Sequence, residues 1–478
     1  MDAYELQETV DRWMISGPRG QSRGPLRRAV ARAQGPVIHD TNGRRYLDFG
    51  SGPSAAILGH NHPRYIEAVK RRLHTIGGDA FVDKDAVQLH RRLGEILTPP
   101  LQKSLLVPHG EAALRVAASM ARTITGGADV MTVSATHDGT LCFAYPATLG
   151  SSRGVSLITT RPATGGQGAC PDRAQCSCGA QGGNYPCPWA GFEAAMRACE
   201  RRPAALHMTP FAGGAFGAWP GCARVLRRLC HQYGMLLIVD ETATGYGKTG
   251  HMWGYQHDDI VPDVLIVSMR FGAGLSIDAV CTAPDIAEQV SASDCLAIDH
   301  AWHDPVGCAA AIAGIDILQE EELVARAARI GEHLKTRLAA MAADNSIITA
   351  IHGRGAMYAI ELAVPAGADM QACCPAPFNT RIPPRGLAPT DPGMPERGLA
   401  SAVVLACRDK GLLLREPARG ASGGIVRVAP PLVTTETQID EGLDILDSVL
   451  HGMAGTTHAR MTDSRQSAQQ PGQHQLTQ

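Results

Sequence analysis

The feature that most constrains this chain is the rhythm of its middle, where short apolar runs alternate with longer stretches of helical spacing. Runs at Ser104–Val107, Val130–Ser134, Val155–Thr159, Ala205–Thr209, Leu236–Asp240 and Val264–Ser268 have the length and residue types of strands. Helical spacing falls between them near 111–124, 189–200 and 220–233. Strands separated by helices predict a mainly parallel, three-layer α/β domain.

The flanks carry a different pattern. His39–Phe49 reads as a hairpin turned by Asn42-Gly43. Helices are predicted over 63–76, where Pro63 sits at the start, and over 85–97. A long helix begins near Asp304-Pro305 and another covers 320–343, followed by helix 399–410, strand 424–429 and helix 435–452. At 478 residues one small core is not enough. The predicted division is 1–62 as the N-terminal part of a small domain, 63–322 as the large domain and 323–454 as the rest of the small one. Residues 365–397 read as a Pro-rich insertion, and the polar, Gln-rich stretch 455–478 as a disordered tail.

Composition removes several classes of function. A formal charge of −2 gives no reason to expect nucleic acid or an anionic membrane as partner. No apolar run approaches the roughly 18 residues of a spanning helix. The acidic start Met1-Asp2-Ala3-Tyr4-Glu5 lacks an export pattern, so a cytoplasmic address is expected.

In open α/β sheets ligands bind at the carboxyl ends of strands, and three such ends here carry chemistry. Val107-Pro108-His109-Gly110 precedes a helix, whose free N–H groups can hold a phosphate at Gly110. Asp240 ends an apolar strand, where a carboxylate can keep a heterocyclic nitrogen protonated. Arg427, in Val426-Arg427-Val428-Ala429-Pro430-Pro431-Leu432, offers a planar fork for a carboxylate.

Together with Leu58-Gly59-His60-Asn61-His62-Pro63, Tyr46-Leu47-Asp48-Phe49, Asp240-Glu241-Thr242-Ala243-Thr244-Gly245-Tyr246-Gly247-Lys248-Thr249-Gly250, Val261-Pro262-Asp263, Phe271-Gly272-Ala273-Gly274-Leu275 and Gly353-Arg354-Gly355, these stretches resemble the class III aminotransferase family. The closest likeness in motifs is to dialkylglycine decarboxylase and its relatives, and it runs from about residue 36 to 452 in the family's order. The resemblance implies a fold-type I pyridoxal-phosphate (PLP) transferase, with a three-layer large domain and a smaller α+β domain built from both chain ends. It also implies a homodimer with active sites at the subunit interface.

Carried over residue by residue, the cofactor site departs from that pattern. The Schiff-base lysine falls at Met269, and a thioether cannot form an imine. The ring-stacking aromatic falls at Thr136, just before His137, and the partner subunit's phosphate threonine at His300. The strand-end Glu-Pro reads Thr209-Pro210, the ring-side glutamine is Ala243, and the decarboxylase's substrate-side glutamine is Pro53. The phosphate loop reads His109-Gly110-Glu111-Ala112. What survives is Asp240, Gly110, His137 and Arg427. Lys248 is the nearest other amine in sequence and is not expected to substitute.

Spacing suggests two metal sites. Cys170, Cys176, Cys178 and Cys187 crowd a Gly- and Pro-rich stretch and suit zinc, although the spacing is not a paired Cys-x2-Cys pattern. His109, His137, His300 and His303 with Asp240 form a second, weaker set. The leading expectation is a pseudoenzyme or repurposed family member that binds a small amino or keto acid without an internal aldimine, with PLP non-covalent at best. The alternatives are an active PLP-dependent aminotransferase or decarboxylase with an atypical site, a non-catalytic subunit pairing with an active paralogue as a heterodimer, and a metal-dependent enzyme on the same fold.

Overall fold

A computed structural model describes residues 29–50, 57–75, 83–135, 141–145, 156–160, 188–199, 201–212, 216–217, 221–272, 275, 277–293, 304–363, 397–415 and 424–467. At the N-terminal side, antiparallel β1 (Val30–Gln34), β2 (Val37–Asp40) and β3 (Arg45–Asp48) follow one another, with the Asn42-Gly43 turn joining β2 to β3 as read from the sequence. The centre of the fold is an eight-stranded sheet. In chain order its strands are β4 (Lys103–Val107), β5 (Val130–Ala135), β6 (Leu141–Tyr145), β7 (Ser156–Thr160), β8 (Ala205–Met208), β11 (Leu236–Asp240), β12 (Val264–Ser268) and β13 (Asp278–Thr282). A separate two-stranded ribbon, β9 (Phe211–Ala212) and β10 (Phe216–Gly217), falls between β8 and β11 in sequence. The spatial order of the central sheet is β4-β13-β12-β11-β8-β5-β6-β7. The middle strands β12, β11, β8 and β5 are parallel, while β13 and β6 run against their neighbours.

The helices are α1 (Pro63–Leu73), α2 (Lys84–Ile96), α3 (Gly110–Thr125), α4 (Pro188–Ala198), α5 (Cys222–Gln232), α6 (Pro284–Ser291), α7 (Pro305–Glu320), α8 (Leu323–Asp344), α9 (Arg397–Asp409) and α10 (Glu436–Ser467). The strands in the middle of the sheet are buried on both faces, and alternation sorts their side chains. Ile238, Val264, Ile266 and Val280 pack under α3, which presents Ala113, Val116, Ala117 and Ala121. That alanine-rich stripe lets the helix lie close on the sheet. Leu237, Val239, Leu265, Val267 and Met269 face the opposite way, into the larger core cluster. This is the three-layer arrangement expected from the sequence.

Helices α1 and α2 pack on the long helix α7. Arg72, near the end of α1, pairs with Asp83, which caps α2, and its Nε lies 3.0 Å from Asp85. A three-stranded sheet of β14 (Ile348–Arg354), β15 (Met357–Leu362) and β17 (Ile425–Val428) carries Arg427. The short β16 (Leu412–Leu413) pairs in parallel with β3 and so joins the two ends of the chain.

Several elements differ from expectation, among them strand β6 and helix α6, which the sequence reading passes over. Strand β13 is not among the predicted strands, because it is short and opens with Asp278, which extends the look of the preceding glycine loop. The last helix, α10, runs into the stretch expected to be a tail; no proline interrupts it before Pro471. The expected insertion 365–397 lies almost wholly outside the described residues. Among the described residues no helix is long and apolar enough to cross a membrane.

Candidate functional site

The carboxyl edge of the sheet gathers the ends of β4, β8, β11 and β12, together with the start of β13. Register places Asp278 opposite Val107 on one side and Ser268 on the other. The residues two along, Val280 and Ile266, pack under α3, so Asp278 and Ser268 point to that same face. Asp240 and His207 follow Ile238 and Ala205 at the same two-residue interval and share it.

Asp240, expected from sequence, is there. Its Oδ1 accepts from the Thr242 N–H at 2.8 Å, and its Oδ2 lies 3.6 Å from His207 Nε2. Burial pushes this carboxyl up, but His207 and Thr242 prevail and hold it below the usual carboxylate value. On its other ring nitrogen His207 meets the Thr132 hydroxyl at 3.4 Å.

Asp278 is not among the residues that the sequence singles out. It is 1% exposed, and Ser268 Oγ donates to its Oδ1 at 2.7 Å. Its Oδ2 is buried without a hydrogen-bond partner among the described residues. Burial drives the acid up to about 6, against the pull of Ser268 and Arg270. A Cβ built on Gly110 would meet that same Oδ2 at 3.5 Å. The carboxylate therefore stands in the cup at the N-terminus of α3, where the sequence suggested a phosphate. The signal that could have found His207 is a histidine inside an otherwise apolar strand run, Ala205-Leu206-His207-Met208, whereas Asp278 opens its strand and carries no such signal.

His109 caps α3 rather than facing a ligand: its exposed ring accepts from the Ala112 N–H at 3.3 Å. Met269 follows β12 directly, is 1% exposed, and packs in the larger core cluster, with its N–H bonded to the Ile277 carbonyl at 2.9 Å. Thr136, His137 and His300 lie outside the described residues, as do His303, Pro53, and Cys170, Cys176, Cys178 and Cys187. Among the described residues no group of three His, Cys, Asp or Glu side chains is set to hold a metal ion.

A second group surrounds Arg427. Its guanidinium is buried, its Nε has no hydrogen-bond partner, and no carboxylate pairs with it among the described residues. Burial, with repulsion from Arg415, draws its pKa down to about 10. A buried, uncompensated cation is costly unless a ligand supplies the anion. The strand holding it is tied to the chain's other end, since Ala429 N–H bonds to Phe49 O and Leu432 N–H to Ile57 O, each at 2.9 Å. Lys248 completes the frame. Its buried Nζ donates to Pro430 O at 2.8 Å and Ala429 O at 3.5 Å, and burial lowers its pKa to about 8. That amine bridges the Asp240–Gly250 loop and the Arg427 strand, so it is not free to replace a catalytic lysine.

The strand order and the ligand-facing carboxyl edge define the architecture of PLP-dependent transferases. A transaminase from the marine bacterium Virgibacillus matches with a TM-score of 0.72 at 19% identity, covering 94% of this chain and 99% of that one. The acetylornithine aminotransferase of Elizabethkingia anophelis matches with a TM-score of 0.68 at 20% identity, covering 95% and 100%.

The chain belongs to the class III aminotransferase family, whose model (Aminotransferase class-III) matches residues 20–450. The 5-aminovalerate aminotransferase of Pseudomonas aeruginosa is 29% identical over 452 residues, 92% of this chain and 97% of that protein. The 4-aminobutyrate aminotransferase of Escherichia coli is 27% identical over 433 residues, 87% and 91% respectively.

Class III aminotransferases use PLP, and the described residues do not fit it in the family's covalent form. A thioether follows β12, the nearby amine of Lys248 is committed to two carbonyls, and a carboxylate stands in the phosphate cup.

Proposed function

We propose that this chain is a repurposed class III aminotransferase homologue, a pseudoenzyme with respect to imine chemistry, which binds a small amino or keto acid through Arg427. The observation that carries the reading is Met269, buried at the end of β12 in the position where the resemblance implies the Schiff-base lysine. A thioether has no exchangeable proton and no basic nitrogen, so it can neither hold an aldehyde covalently nor shuttle a proton. Arg427 supplies the ligand end: its fork is buried and lacks a carboxylate partner among the described residues, while the Lys248 and Phe49 contacts hold its strand in place. The homodimer, the cytoplasmic address, the division into large and small domains, and the motif likeness to dialkylglycine decarboxylase belong to this proposal. Zinc at Cys170, Cys176, Cys178 and Cys187 is not needed by it.

The test is to incubate the purified protein with PLP, reduce with borohydride and map any label on its peptides. The expected result is no labelled lysine and no imine absorbance band. A stoichiometric label on one lysine overturns the reading. In parallel, 5-aminovalerate and its oxo-acid counterpart, the aldehyde acid 5-oxopentanoate, are titrated by calorimetry. Arg427→Ala should weaken whichever binds by tenfold or more, in line with roughly 1.5–3 kcal/mol for a charged hydrogen bond.

A further inference from the structure

The free oxygen of Asp278 has no role in holding the fold. Ser268 satisfies Oδ1, whereas Oδ2 is fully buried, unpaired among the described residues, and turned toward Gly110 at the start of α3. On the same face of the sheet, His207 Nε2 lies 3.6 Å from Asp240 Oδ2. A buried carboxylate oxygen without a partner is uncommon, and beside a helix start it marks a place where a ligand can complete the bonding. Both carboxylates can accept hydrogen bonds, and the Asp278 oxygen stands beside Gly110, at the helix start that would otherwise draw an anion.

We infer that Asp278 inverts the phosphate cup: it excludes a phosphorylated cofactor and, with Asp240, takes the protonated amino group of the ligand. This inference rests on the proposed amino-acid-binding reading and deepens it, since a zwitterion would then be held by its ammonium here and its carboxylate at Arg427. A phosphate placed at Gly110 would lie against a buried negative charge in a region of low dielectric, where like charges repel strongly. An ammonium gains what the phosphate loses, because its three donors suit the free Asp278 oxygen and its neighbour Asp240. The charged and titratable groups acting on Asp278 are Asp240, Arg270 and His109, with Ser268 as hydrogen-bond donor. Neutralising Asp278 should open the cup to phosphate, whether by acid or by substitution.

The experiment follows reversible PLP binding by equilibrium dialysis at pH 7.5 and pH 5.5, in wild type and in Asp278→Asn and Asp278→Gly. Asparagine keeps the acceptor for Ser268 and glycine empties the cup; thermal unfolding of each confirms a folded chain. The expected result is that both variants bind PLP at least tenfold more tightly than wild type at pH 7.5. Wild type should gain more affinity on going to pH 5.5 than D278N, which keeps Asp240, His109, His207 and Arg270 and so carries every other change of charge. n-Butylammonium should raise the melting temperature of wild type and leave that of D278N unmoved. Equal PLP affinity in wild type and D278N at pH 7.5 overturns the inference, as does a pH gain of the same size in both or an equal response of both to n-butylammonium. Reversible uptake of PLP by wild type at pH 7.5 as tight as that of D278N, with no borohydride-stable label, would sink this inference and leave the lysine-free reading standing. A stoichiometric stable label on one lysine would overturn both.

Discussion

Two regions of the molecule are held in different ways. Around Arg427 the residues that carry the family resemblance lock onto backbone: Phe49 to Ala429, Ile57 to Leu432, Lys248 to Pro430. At the carboxyl edge of the sheet, Met269 packs into the core after β12 and Asp278 stands beside Gly110, and on the proposed reading these are positions a cofactor would touch. The contrast separates two kinds of constraint. A residue that closes a junction between distant parts of the chain cannot change without loss of the fold, whereas a side chain that only faces a ligand can change once the ligand does. Asp240 sits on the boundary, because it contacts both the Thr242 backbone and His207.

The sharpest way to break this contrast is to rebuild the altered half. Met269→Lys alone restores an amine but leaves the carboxylate in the cup, so it should gain little covalent PLP. Met269→Lys with Asp278→Gly removes the repulsion as well. The double variant should yield a borohydride-stable label on the amine introduced at position 269, at least tenfold above the single variant. Peptide mapping of the reduced adduct reads both. If the single variant labels as fully as the double, the missing lysine is the only defect and Asp278 is incidental.

How much of this is legible in the sequence follows from what each signal depends on. The apolar runs that form β4, β5, β8, β11 and β12 are readable because strands buried on both faces need apolar residues almost throughout. Asp240 and Arg427 are readable because each stands out as a charge within such a run. Asp278 is not, since a charge at the start of a short strand looks like the end of a loop, and only the register with Val107 and Ser268 brings it to the edge. His207 escapes notice for a related reason: its meaning depends on Asp240 lying across from it on the neighbouring strand. His109 invites overreading, because capping its own helix is a local use that spacing cannot distinguish from ligand binding.

The frame around Arg427 can be broken at Gly355. That residue has φ +54°, and a Cβ there would lie 2.3 Å from the Thr249 carbonyl carbon, against the backbone of the Lys248 loop. The neighbouring Ala356 N–H bonds to Lys248 O at 2.9 Å, so the loop cannot simply retreat. Gly355→Ala should therefore destabilise the fold by about 3 kcal/mol or more in a denaturant titration, combining backbone strain with overpacking. Asp278→Gly, on the altered side, should cost far less. A Gly355→Ala protein as stable as wild type would mean that this junction is not rigid, and the distinction between the two halves would lose its basis.

The smallest effect is a pH dependence of stability at Glu241, which lies beside Asp240 but serves the frame. Its carboxyl is 1% exposed, accepts from the Tyr255 N–H at 2.8 Å and from the Thr244 hydroxyl, and is pushed by burial up to about 7 from an ordinary 4.5. The folded chain therefore holds this proton more tightly than the unfolded chain does. The contribution is fully present below about pH 4.5, declines as the pH rises, and is lost above about pH 7. Its ceiling is on the order of 3 kcal/mol, from about 1.4 kcal/mol per pKa unit. Glu241→Gln mimics the protonated acid and should flatten this part of the stability profile between pH 4.5 and 7, leaving the part owed to Asp278 and other groups. Chemical denaturation of both proteins across that window reads the difference. Parallel profiles would show that Glu241 is ionised throughout, held by the Tyr255 and Thr244 donors rather than ruled by its burial.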